Sequence, residues 1–92
     1  MIAAFLKHSF AYDGTQLNVY HANAGEGLLK HEHTFAHVTI CHAGSCLVSL
    51  NGRSYTINKD SKPLNLPANE WHEIEALEDD TVFVNVFAEG KY

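Results

Sequence analysis

The chain predicts an all-β fold: a single domain built as a small antiparallel sandwich or barrel. Three observations carry this. Short apolar segments recur between clusters of turn-forming residues, as strands of a sandwich or barrel do. No segment shows a convincing helical period. The pair Asn51-Gly52 sits between two alternating segments, the strongest short-range signal of a β-hairpin because both turn residues accept positive φ. With 92 residues, one domain spanning 1–92 is expected, toward the small end of what folds alone.

The expected strands follow in order. The first is 2–6. After a turn at Asp13-Gly14 comes 16–22, and after Asn23 to Gly27 come 28–33 and 35–42. Gly44 turns the chain into Ser45-Cys-Leu-Val-Ser-Leu50, which Asn51-Gly52 reverses into Arg53-Ser-Tyr-Thr-Ile57. Turns at Lys59 to Pro63, Pro67 to Asn69 and Glu78 to Asp80 separate the last strands, 64–67, 71–77 and 81–88.

Side-chain alternation assigns the faces. Over 35–42, Phe35, His37, Thr39 and Cys41 share one face, and Ala36, Val38, Ile40 and His42 the other. Over 81–88, Val82, Val84 and Val86 oppose Phe83, Asn85 and Phe87. Strands apolar on both faces are covered on both faces. A barrel interior covers one, and a second subunit is the expected cover of the other, so the chain is read as a homodimer. The run 72–76 alternates cleanly, with His72, Ile74 and Ala76 inward and Glu73 and Glu75 outward.

Composition removes several function classes. The formal charge of −5, with Lys and Arg scattered, argues against nucleic acid or anionic membrane as partner. The start Met1-Ile-Ala-Ala-Phe-Leu6 lacks a signal-peptide core, and no apolar run approaches the roughly 20 residues of a membrane helix. A soluble, cytoplasmic protein is expected. Cys41 and Cys46 flank a short turn and could face one another across it. Reduced thiols filling core space are favoured over a disulfide in that compartment. No Ser-His-Asp, Cys-x-x-Cys or Gly-rich phosphate loop is present. The acidic residues Glu73, Glu75, Glu78, Asp79 and Asp80 read as a solvated face and turn.

The chemistry-bearing residues are histidines. His31, His33 and His37 lie in one segment and His72 lies farther on. Imidazole is the commonest protein ligand for first-row metals, and His-x-His on a strand directs both rings to one face. His8, His21 and His42 lie outside this pattern and are expected at the surface or an interface.

The spacing Gly25-x5-His31-x-His33-x3-His37-x6-Gly44 resembles the first motif of the cupin superfamily, G-x5-H-x-H-x3,4-E-x6-G, with His37 in place of Glu. The second motif, G-x5-P-x-G-x2-H-x3-N, is matched at Pro67 and His72, whereas Ser61, Asn69 and Ala76 replace the two glycines and the final Asn. The resemblance covers residues 25–76, with the motifs at 25–44 and 61–76. It implies a small antiparallel β-barrel, or double-stranded jelly roll, with a metal inside. His31, His33, His37 and His72 would hold one divalent transition metal: iron(II), nickel, zinc, manganese or cobalt.

Exchanging carboxylate for imidazole at position 37 leaves such a site one charge unit more positive, which favours an anionic substrate. Phe35, Cys41, Tyr55, Trp71 and Ile74 could line a pocket beside it, although plain barrel core is the favoured reading of any single one. Tyr55 is the candidate catalytic group, since a phenol near a metal can act as acid, base or orienting donor. Two functions follow. One is a metal-dependent enzyme on a small anionic or chelating molecule, with dioxygenase favoured over lyase or isomerase. The other is a non-catalytic module that senses or sequesters a small molecule or metal. A stand-alone domain that works only with a partner protein is a third.

Overall fold

In a computed structural model that describes residues 1–90, ten strands form two sheets. They are β1 (Ile2–Ala3), β2 (Phe5–Tyr12), β3 (Thr15–Ala22), β4 (Glu26–His31), β5 (His37–Ala43), β6 (Ser45–Leu50), β7 (Arg53–Asn58), β8 (Leu64–Leu66), β9 (His72–Ala76) and β10 (Thr81–Ala88). One sheet has the order β1-β4-β9-β6-β7 and the other β2-β3-β10-β5-β8. Every pairing is antiparallel except the two-residue β1 alongside β4. The two sheets pack as a jelly roll. No helix is long and apolar enough to cross a membrane among the described residues.

The strand pattern differs from expectation in two places. The expected strand 2–6 is split, and β2 extends to Tyr12, pairing along β3 through the Asp13-Gly14 turn. Every residue of β2 is exposed, so it has no buried face whose alternation would mark it. The second difference is at 32–36, which is loop rather than strand, so His33 lies between strands.

The hairpin at Asn51-Gly52 forms as expected, both residues having positive φ (47° and 79°). Gly44, which closes the β5–β6 turn, has φ +73°, and a Cβ there would collide with Thr81. Both conformation and space therefore require glycine.

The core lies between the sheets. Cys46, Val48, Ile57, Ile74 and Ala76 enter from one side, and Tyr20, Ala22, Cys41, Leu66 and Phe83 from the other. Tyr20 stacks on Phe83 with ring centroids 5.1 Å apart. Cys41 and Cys46 are free and buried, with sulfurs 4.0 Å apart, and burial pushes both thiols up in pKa. Toward one end of the barrel the interior turns polar, and there the histidines gather.

Candidate metal centre

Three strand ends and one loop bring the histidines together. His31 closes β4, His33 follows in the loop, His37 opens β5 and His72 opens β9. His31 faces His72 directly across the β4–β9 pairing. Simple alternation would not achieve this. Leu28 pairs with Ile74 on the inner face, which would leave His31 pointing outward three residues later. The register shifts between Leu28 and His31, a bulge whose extra residue turns His31 inward.

Ring nitrogens of His31, His33 and His72 lie within 4.8 Å of one another, a group that could hold a metal ion. Nε2 of His72 is 3.1 Å from Nε2 of His31 and 3.4 Å from Nε2 of His37. His37 lies outside that three-histidine group; it approaches through His72, its ring centroid 5.0 Å from that of His33.

The opposite ring nitrogens explain why the Nε2 atoms converge. Nδ1 of His31 donates to the Leu29 carbonyl (2.6 Å). That of His33 donates to Phe35 (2.9 Å), and that of His72 to Glu70 (3.0 Å). A carbonyl only accepts, so each Nδ1 carries the proton and each neutral ring keeps its Nε2 lone pair. For His37 the partner is the Thr39 hydroxyl, 3.3 Å from Nδ1. Thr39 spends its own proton on Asn85 Oδ1 at 2.7 Å and so accepts from His37. Asn85 Nδ2, fully buried, has no partner among the described residues.

Lone pairs facing one another at 3.1 and 3.4 Å cannot hydrogen-bond. Those of His31, His33 and His72 could hold a shared cation. Two nitrogens each about 2.1 Å from one ion lie about 3.0 Å apart at a right angle and about 3.4 Å apart at the tetrahedral angle. Electrostatics agree. Burial, then the neighbouring His72 and His33 rings, depresses His37 to about 4. Burial, with the His31 and His33 rings, also lowers His72. Both rings are therefore neutral near pH 7. His37 and His72 are 2% and 1% exposed, so neither can find a solvent partner instead.

The other sequence candidates are spread out. Phe35 stacks on His33, with centroids 4.2 Å apart and planes 8° from parallel, and its ring also meets Phe87. Ile74 and Cys41 belong to the buried core. Trp71 lies under Lys30 in a cleft of about 350 Å³ that also touches His72 and Glu73. Tyr55 lines a separate cleft of about 450 Å³ with Leu50, Asn51, Arg53 and Glu70. His8 and His42 are exposed and His21 is half-buried. Sequence reasoning did not single out Thr39, Asn85 or Arg53. The alternation of β5 and β10 already put Thr39 and Asn85 inside, where polar side chains need partners.

The second-motif mismatch at Asn69 has a local cause. Asn69 has φ +62°, a left-handed conformation that glycine takes freely and Asn tolerates better than other side chains. Its backbone N–H donates to the His33 carbonyl at 2.8 Å, tying the β8–β9 loop to the loop that carries His33.

Residues 19–88 match the family described as the AraC-like ligand binding domain. This chain belongs to that family. Among solved structures it superposes on KdgF from a Halomonas species with a TM-score of 0.79, 18% identity, and 88% of this chain and 74% of that one covered. A cupin-2 domain protein from Shewanella frigidimarina gives 0.73 at 13% identity, covering 94% and 79%. A double-stranded β-helix protein from Klebsiella pneumoniae gives 0.76 at 18% identity, covering 96% and 78%. No curated protein matches the sequence. At these identities the structural likeness carries the fold, and with the family match it makes this a small cupin-superfamily domain.

Proposed function

We propose that this cupin domain holds one divalent transition metal on His31, His33, His37 and His72 and presents it to a small anionic or chelating molecule. The observation that carries this reading is the convergence of Nε2 lone pairs, each fixed by a protonated Nδ1. When bound, iron(II), nickel, manganese, cobalt or zinc would supply Lewis acidity, and iron(II) also dioxygen chemistry. The chain's own contribution is positional. Three backbone carbonyls and the Thr39–Asn85 pair hold the tautomers, and Phe35 covers one face of His33. Four neutral imidazoles leave the ion's charge uncompensated, which favours an anionic ligand. We favour dioxygenase-type chemistry over lyase or isomerase chemistry. The test is metal analysis of the purified protein, followed by dioxygen uptake on diketones, thiols and catechols. Stoichiometric iron with uptake supports the enzyme. Tightly held zinc with four nitrogen ligands and no open position overturns it.

The second reading is a non-catalytic module that senses or sequesters its ligand. The family match favours it, because that family is described by ligand binding. Metal with selective ligand binding and no turnover is its expected result.

We also propose that the domain works as a homodimer through the outer face of the β2-β3-β10-β5-β8 sheet. Phe10, Leu17, Val86 and Val38 form one cross-strand row on that face, and Val19, Val84 and Ile40 a second. Phe10 is 50% exposed, and the others are only half-buried. Four strands of about eight residues span about 500 Å² in projection. That is the order of the ~800 Å² per partner of a stable interface. His8 pairs with Val19 and extends the second row, and a second copy offers the same self-complementary surface.

A further inference from the structure

We propose that Arg53 is a ligand-anchoring residue: it takes a carboxylate of the molecule whose other end lies at the histidine cluster. This rests on the metal-binding reading above and names the class of ligand, a metal-chelating molecule that carries a carboxylate at its far end.

The placement follows from register. His31 pairs with His72, His72 with Leu50, and Leu50 with Arg53, one unbroken row across β4, β9, β6 and β7. Directly paired residues of antiparallel strands project to the same face, and His72 in this row is buried on the inner face. Arg53 therefore belongs to the barrel's inner side at the mouth, two strands from His72. At about 4.8 Å per strand, the two backbones are about 10 Å apart. That gap is the length of a small molecule.

The space and the chemistry agree. Arg53 lines the cleft of about 450 Å³ with Leu50, Asn51, Tyr55 and Glu70. It is exposed and forms no ion pair or side-chain hydrogen bond among the described residues. Its planar fork matches a carboxylate bidentately.

None of the four histidines lines this cleft, which meets them through Glu70. Glu70 gives its backbone carbonyl to His72 Nδ1, while its side chain accepts from Asn51 Nδ2 at 2.7 Å. Glu70 adds one negative charge to the lining, so Arg53 and Glu70 sum to zero and the cleft has no spare cation for a polyanion. Tyr55 shares the inner parity of Arg53 and adds a phenol within the same cleft.

The test compares acetylacetone with 4,6-dioxoheptanoate, the same diketone bearing a carboxylate tail, on cobalt(II)-loaded wild type, Arg53→Gln and Arg53→Lys. Cobalt uptake is read first by its visible absorption, then diketone affinity by calorimetry. The expected result is unchanged cobalt uptake in all three proteins. The carboxylate-bearing ligand binds wild type at least tenfold tighter than acetylacetone. That preference is lost in Arg53→Gln and partly restored in Arg53→Lys. Equal affinities for the two ligands in wild type, or a preference surviving in Arg53→Gln, overturns the role of Arg53 while cobalt binding leaves the metal reading standing. Failure of wild type to take up cobalt removes both.

Discussion

His31 and His72 meet nitrogen to nitrogen, Nε2 to Nε2 at 3.1 Å, while each donates its other ring proton to a backbone carbonyl. Neither ring can supply a proton to the contact without becoming charged beside its neighbours. The pair is stable when a cation lies between the lone pairs. The rest of the fold serves this contact. The bulge in β4 turns His31 inward, the Glu70 carbonyl sets His72, and the loop bond from Asn69 brings His33 alongside.

His37 is held by Thr39, and Thr39 by Asn85. Thr39→Val removes the acceptor for His37 Nδ1 and frees that ring to turn. Metal affinity is expected to fall about 10- to 100-fold, the usual cost of losing a group that orients a metal-bound histidine. His37→Ala is expected to retain metal more weakly still, and His37→Glu to retain it with altered reactivity. Isothermal titration with zinc or cobalt reads all three. Unaltered affinity in Thr39→Val would show that His37 needs no support, and unaltered affinity in His37→Ala would place His37 outside the ligand set.

Acid should weaken the metal-free fold through His37. Its folded-state pKa is near 4, against an ordinary value near 6.5. Between these values the unfolded chain binds a proton that the folded chain refuses, so stability falls as pH falls from about 6.5 to about 4. One such group accounts for at most about 3 kcal/mol over that window. His72, lowered for the same reason, adds in the same direction. Urea melts of metal-free protein at pH 7 and pH 4.5 should show the loss, and His37→Ala should show less of it. A pH-independent midpoint would contradict the buried, neutral state of these rings.

Asn69 stands where a left-handed residue is required. Asn69→Gly should change stability by no more than about 0.5 kcal/mol, whereas Asn69→Val should cost about 1–3 kcal/mol through backbone strain. Thermal melts decide between them. Equal tolerance of both substitutions would mean that the loop relaxes and the bond to the His33 carbonyl is dispensable.

Much of this was legible in the sequence. The all-β fold, the Asn51-Gly52 hairpin and the inward parity of His37 and His72 follow from alternation and turn chemistry, because those strands bury one face. His31 was legible only as part of a motif. Its inward aim depends on a bulge, and a bulge leaves no periodic trace. Strand β2 was partly missed because it is exposed throughout, so no hydrophobic period records it. Asn69 reads as a broken motif until its φ is known. Arg53 needs the register of four strands before its place beside the histidines is visible.

The outer sheet face makes a separate prediction. Val84→Glu and Ile40→Glu put charges in the middle of the apolar rows without touching the interior. Light scattering after gel filtration should give a dimer for wild type and a monomer for either variant. A wild-type monomer at micromolar concentration would rule out this interface.

The central claim is that the four histidines form a metal centre, and metal content tests it most directly. Elemental analysis and X-ray absorption on protein purified without a histidine tag should give one divalent first-row metal per chain. Three or four imidazole nitrogens should surround it at about 2.0–2.2 Å. His72→Ala should lose it. Protein that takes up no metal under any divalent supply, or that binds it equally well after His31, His33 and His72 are all replaced by Ala, would contradict the claim.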